Sequence, residues 1–596
     1  MIKTSRTLFA LLLLFATSGW NHAATSHAAF SSRALEPDAL VISGLQADLI
    51  TPFSVVITWT TNNPADSRVE FGPTVAYDRL VSSSALTLTH KIVLSSLAGN
   101  TLYHFRVTSQ AGSETATSED RIFTTPSSRI MLRNDGAFLV DGQPFIPLAQ
   151  WLQCAYRINY QKTLGLNTFM GQGCDETAQD YLNTAAAQGV WGIVKFDASA
   201  KNHSALLGWY WEDEPDMPRE GSTPLLYPAD VLGVYENIKA QDANHPFWLT
   251  LTARFASRFE PYPWMGTNKE EYIDYANATD VPGFDHYPIY GWCQPTWIPD
   301  VGDFQNELLT LYAPGKPTFQ WIETVKTSSQ WCDLPARGQD DGPYDYEIRN
   351  EVWQAIVHGA KAIGYFTHSW ECPGYTQFCL SDPQIVELTR TNGQITRLTS
   401  AILGDEYPEA VSGQTSNGGR VDFMIKQQAD DIYIFAVNLE RATETVTFTL
   451  GSLARNADVT VVDENRVVQL RNKRFSDAFA PLGVHIYRLR AQSELELEGF
   501  PANQAIHLSW DVSISLPVTS TWRIDYYTQT ASIYTTTIPL STTRSTTLLD
   551  HVQNYQWYTI TLNAMLDQTA WLSDTVRVMP TDQFVYLPIL VKGVTP

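Results

Sequence analysis

The sequence predicts a multidomain protein in which a (β/α)8 TIM barrel is flanked by β-sandwich domains. Three observations predict it. Residues 130–405 alternate eight apolar strand candidates with stretches of helical periodicity. Both flanks carry short β-runs separated by turns instead. A chain of 596 residues holds roughly three to five domains, and the middle region has the length of one such barrel.

The first 28 residues read as an export signal. Lys3 and Arg6 precede the apolar run Leu8–Ala16, and small residues around Ala23–Ala29 offer a cleavage site. The run is short for a bilayer span and no later stretch is longer, so a secreted protein without an integral membrane segment is expected. Residues 38–126 contain VVITWT (55–60), SRVEFG (67–72), HKIVLS (90–95), LYHFRVTS (102–109) and DRIFTT (120–125), the pattern of a two-sheet sandwich. The barrel strands are expected at 145–151, 165–171, 189–197, 206–214, 247–253, 281–290, 317–323 and 362–370. Helical spacing marks 176–188, 228–241, 303–312 and 346–360, whereas 198–205 is thin for a full helix. A Rossmann-like sheet is the rival, and the GxGxxG turn it wants is not found after the first strand. Alternation returns at 408–490 and again at 493–580, giving a second and a third sandwich, before a short apolar tail at 581–596.

Composition narrows the partners. A net charge of −23 argues against nucleic acid or anionic lipid. Eighteen Trp and 27 Tyr supply flat amphipathic rings suited to stacking on sugars as well as to cores. All six cysteines lie between Cys154 and Cys379, and an even count in an exported chain favours disulfides over metal ligation. Cys372–Cys379, Cys154–Cys174 and Cys293–Cys332 are the suggested pairs among fifteen possible connectivities.

The stretch Leu206–Asp216, LLGWYWEDEPD, is the most informative. Its apolar start reads as a buried strand, and Pro215 ends the ladder because it has no N–H to donate. Acids crowded at a strand end repel and lose solvation, so at least one is expected to keep its proton near neutral pH, as a general acid requires. In a barrel of this kind, functional side chains sit at the C-terminal ends of the strands. That rule selects Asp213 and Glu214 on the fourth strand, Asp285, His286 and Tyr287 on the sixth, Glu323 on the seventh, and His368 and Trp370 on the eighth. Trp151 and Trp211 are candidate sugar platforms, with barrel packing the competing role, and each histidine could equally be structural. Asp285–His286 is not metal spacing by itself, and no cofactor is expected.

A strand-four Glu followed by Pro, with a second Glu ending strand seven, resembles the clan A retaining glycoside hydrolases. The resemblance covers the barrel. It implies Glu214 as acid/base, Glu323 as nucleophile, Tyr287 as the hydrogen-bond partner of the nucleophile and Trp370 as the floor of the sugar site. Asp213 stands where that family usually has Asn; an ionised Asp only accepts hydrogen bonds, so contact with a sugar 2-hydroxyl would be reorganised. Trp59 and Tyr103, and later Trp510 and Tyr558, resemble the core residues of fibronectin type III domains. The expectation is thus a secreted, monomeric, retaining glycosidase acting on a β-linked polysaccharide or oligosaccharide. The competing expectation is a carbohydrate-binding or adhesion protein with a degenerate barrel. A metal-dependent phosphoesterase is a further rival.

Overall fold

The computed structural model describes residues 39–582 apart from 220–222, 261–268, 326–341, 370–376, 408–410, 430, 452–456, 491–494, 513–520, 529–533, 540–543, 551 and 567–568. The expected export signal, Trp370 and the end of the apolar tail therefore lie outside the described residues. Among the described residues no helix is long and apolar enough to cross a membrane.

Eight parallel strands close into a barrel: β1 (Leu148–Gln153), β2 (Thr168–Gln172), β3 (Trp191–Lys195), β4 (Leu206–Tyr210), β5 (Phe247–Thr252), β6 (Val281–Asp285), β7 (Phe319–Glu323) and β8 (Ala362–Phe366). Among the described residues seven helices cover it: α1 (Ala155–Gln161), α2 (Ala178–Gln188), α3 (Pro228–Gln241), α4 (Lys269–Asn277), α5 (Asp300–Glu307), α6 (Asp345–Val357) and α7 (Asp382–Ile402). Between β3 and β4 there is only a single 3-10 turn, Ala198–Ala200, so the thin link in the sequence is a genuinely missing helix. β3, β4, β5, β6 and β8 end before the apolar runs that mark them, whereas β1 and β2 run one or two residues past theirs.

Alternation along each strand divides two apolar layers. Phe247, Leu249 and Leu251 of β5 face the helices, while Trp248 faces the lumen. Small residues make room for large ones across the lumen. A Cβ on Gly283 or Gly364 would overlap the rings of Phe319 or Trp321, which lie over those positions. The lower end of the barrel is plugged by a three-stranded sheet, Ile130–Leu132, Phe138–Val140 and Gln143–Phe145, whose Phe138 ring stacks on Trp248 at 5.2 Å.

The alternation breaks once, in β4. The β3–β4 register slips so that Gly192 pairs with Leu206 but Ile193 pairs with Gly208. A residue inserted into one strand transfers everything beyond it to the opposite face. Trp209 accordingly turns outward, where its Nε1 donates to Asp242 at 2.8 Å, and Tyr210 turns inward beside Trp151.

The first flanking domain is antiparallel throughout, as a β-sandwich requires. Its strands join in one six-stranded sheet whose longest member, Val55–Gly72, has register breaks between Thr60 and Ser67. Trp59 and Tyr103 are both in its core, and the Tyr103 hydroxyl accepts from the Ala98 amide at 2.9 Å. The second domain pairs a six-stranded with a three-stranded sheet, and the third a three-stranded with a four-stranded one. Cys154 and Cys174 form a disulfide with their Cα atoms 5.3 Å apart. Cys293 and Cys379 are also disulfide-bonded, to partners outside the described residues.

Candidate active site

At the C-terminal mouth of the barrel lies a cavity of about 290 Å³ lined by Trp151, Asp213, Glu214, Thr250, Asp285, Tyr287, Tyr290, Trp321 and Phe366. Six strand ends contribute to it. Five of the expected site residues meet there: Trp151, Asp213, Glu214, Asp285 and Tyr287. Thr250, Tyr290 and Phe366 join them without having been selected from the sequence, and Trp321 fills the wall between β6 and β8.

The chain after β4 is held in an unusual shape. Glu214 has a φ of 48°, in the left-handed region that residues with a Cβ seldom enter. The surrounding bonds impose it. The Glu214 amide donates to Thr250 O at 3.2 Å, and the Met217 amide donates to Glu214 O at 2.9 Å. Asp216, fully enclosed, accepts from the Thr252 amide at 2.9 Å, from the Thr252 hydroxyl and from the Tyr272 hydroxyl at 2.8 Å. Strain kept in place by so many neighbours is characteristic of functional sites.

The electrostatics follow from crowding. Asp213 has an open path to water through the mouth, but protein surrounds it at longer range. That desolvation, with the charge of Glu214 next to it, raises its carboxyl to about 7. The Thr250 hydroxyl donates to Asp213 and opposes the shift; Trp321 Nε1 donates to the same hydroxyl at 3.1 Å and fixes its orientation. Asp285 hydrogen-bonds to Glu214, and burial together with the Glu214 charge pushes its carboxyl far above the usual range. The two form a dyad that holds a proton at neutral pH. Burial and the same carboxyls keep the Tyr287 phenol protonated, and its ring stacks on Phe366 at 5.2 Å. Among the described residues no group of three His, Cys, Asp or Glu side chains is arranged to hold a metal ion.

Four expected site residues are elsewhere. Trp211 packs against the helical layer, since the slip in β4 reverses its side. His286 follows the outward positions of β6 and is sealed between Phe259 and Phe304, where burial lowers its imidazole to about 3 and leaves it neutral. His368 is buried against Phe366 at 5.6 Å, below the cavity wall, and burial lowers it to about 4. Glu323 is the consequential one. Alternation with Phe319 and Trp321 would aim it at the lumen, yet it has no exposed surface and no share in the cavity lining. Its carboxylate accepts from the Ile289 amide at 2.7 Å and the Tyr290 amide at 2.5 Å, and the Glu351 carboxyl of α6 lies beside it. Burial raises it to about 8.

No family model and no curated protein matches the sequence. Solved structures match the shape at a distance. An α-amylase from Geobacillus thermoleovorans complexed with acarbose is 10% identical over 58% of this chain and 99% of its own, with a TM-score of 0.40. A β-glucuronidase from Ruminococcus gnavus is 9% identical over 59% of this chain and 67% of its own, with a TM-score of 0.33. Likenesses this remote carry no argument about the reaction, which has to rest on the cavity itself.

Proposed function

We propose that the protein is an exported glycoside hydrolase acting on a polysaccharide or oligosaccharide in the barrel-mouth cavity, with Glu214 as general acid/base and Asp285 as the carboxylate facing it. One observation carries this reading. Asp213, Glu214 and Asp285, from two strand ends, converge in a space walled by Trp151, Tyr287, Tyr290, Trp321 and Phe366. Glycosidic cleavage needs a proton for the departing oxygen and negative charge beneath an oxocarbenium-like centre. A dyad that shares one proton at neutral pH supplies both: the proton resting on buried Asp285 passes to Glu214 across their hydrogen bond, leaving Glu214 as the acid and Asp285 charged. The hydrogen bond between Glu214 and Asp285 sets the two carboxyls closer than the about 6.5–9.5 Å of inverting enzymes, which supports retention through a glycosyl-enzyme on Asp285 once the pair parts to admit the glycosidic oxygen. Asp213 would accept from a sugar hydroxyl or amide N–H, and the aromatic rings would stack on the sugar faces.

The test is a panel of polysaccharides and nitrophenyl glycosides offered to the full chain, to Glu214→Gln and to Asp285→Asn. Turnover by the wild type and its loss in both variants, with binding kept, supports the proposal. A second reading has its own observation. The enclosure of Glu323 removes the nucleophile that the family resemblance implies, as a carbohydrate-binding protein with a degenerate barrel would show. Such a protein binds members of the panel and turns none of them over.

A further inference from the structure

Behind the cavity wall three glutamates with no exposed surface, Glu323, Glu347 and Glu351, lie near one another. Glu347 and Glu351 are one turn apart on α6, so they share a face. Buried acids are rare unless something holds them. The Glu323 carboxylate takes both backbone amides of Ile289–Tyr290, and the Glu351 carboxyl of α6 lies beside it. Glu347 takes the Tyr344 amide at 2.7 Å and, at the same distance, Nη2 of Arg441. Arg441 belongs to the second sandwich, and the same nitrogen donates to Pro295 O at 2.8 Å. The sandwich grips this region twice more. Leu482 packs with Ile289 and Ile298, and Asn350 donates to Asn438 O and Leu482 O, each at 2.9 Å. A continuous set of contacts therefore runs from the second sandwich, through α6, to the turn that carries Tyr287 and Tyr290 into the cavity.

We propose that Glu323 is a positioning residue rather than a nucleophile: with Glu351 beside it, it forms a buried carboxyl pair that seats the Tyr287–Tyr290 wall against α6, and Glu347–Arg441 extends that support to the second sandwich. The second sandwich is then a working part of the catalytic unit and not a spacer. The inference rests on the reading of the cavity as a glycosidase site, but its decisive measurement does not need turnover.

Amide hydrogen exchange on the full chain reads the turn directly. Glu323→Gln keeps the shape and one acceptor, so exchange at Ile289 and Tyr290 rises modestly, about threefold. Glu323→Ala removes both acceptors and raises it tenfold or more. Arg441→Met, far from the cavity in the chain, raises exchange across 286–299 in the same direction. With whichever nitrophenyl glycoside the wild type turns over, Glu323→Gln keeps kcat within tenfold and Arg441→Met raises KM while largely sparing kcat. A thousandfold fall in kcat for Glu323→Gln with unchanged exchange would make Glu323 a nucleophile and overturn the proposal. Unchanged exchange at 286–299 in both Glu323→Ala and Arg441→Met would overturn it as well. If Glu323→Ala fails to fold, Glu351→Gln and Arg441→Met carry the same comparison. A panel without turnover but with the predicted exchange pattern sinks the glycosidase reading alone.

Discussion

Glu214 joins two properties that seldom coincide: a left-handed backbone and a carboxyl in contact with a second buried acid. Proton transfer by a positioned carboxyl contributes about 10² to 10⁴ in rate, so Glu214→Gln should lower kcat by that order while substrate binding, measured by calorimetry, persists. Asp213 adds to the dyad a negative charge that helps raise Asp285. Asp213→Asn removes that charge, so the dyad loses its shared proton at lower pH. The alkaline limb of the pH–kcat profile should move toward acid, and an unmoved limb would exclude Asp213 from the electrostatics of the dyad. The sequence pointed to these three acids through the strand-end rule, and to Tyr287 by the same route. It missed Thr250, whose signal was available: a polar residue at a lumen position of the apolar strand FWLTLT.

The strands position the site by what they alternate and by where alternation fails. The slip in β4 sends Trp211 to the helical layer and brings Tyr210 to the lumen; nothing in a run of four aromatic or apolar residues reveals which side each takes. Gly364 of β8 makes space for the Trp321 ring, whose Nε1 orients Thr250 toward Asp213. Gly364→Ala should therefore cost about 1–3 kcal/mol in chemical denaturation and also lower activity by displacing that ring. A loss of activity without loss of stability would contradict the packing argument. The turn after β4 depends on Asp216 in a similar way. Asp216→Ala leaves the Thr252 and Tyr272 donors unsatisfied and should destabilise the chain by about 2–3 kcal/mol.

Over the whole molecule, burial of acids leaves a signature in the pH dependence of stability. Glu323 titrates near 8 in the fold and from 4.5 when exposed, so the folded state binds more protons than the unfolded one between those values. Stability from this group is complete below about pH 4.5 and falls as pH rises toward 8, by up to about 1.4 kcal/mol per pH unit. Lys316, buried between the first domain and the barrel and lowered to about 7, acts in the opposite direction between 7 and 10.5. Comparing urea midpoints at pH 5 and pH 8 should show a steeper decline for the wild type than for Glu323→Gln. The sequence by itself determined the order of domains, the eight barrel strands, the weak β3–β4 link and a short roster of strand-end acids, because hydrophobic periodicity and strand punctuation are local properties. Only the tertiary structure decided which acids share the cavity. Glu214 and Glu323 look alike in the chain, each ending an apolar strand, but one is left facing an open space and the other is enclosed by two amides from the turn after β6 and a carboxyl from α6. That difference depends on partners 25 or more residues away in the chain, and no local pattern records which distant groups will surround a carboxyl.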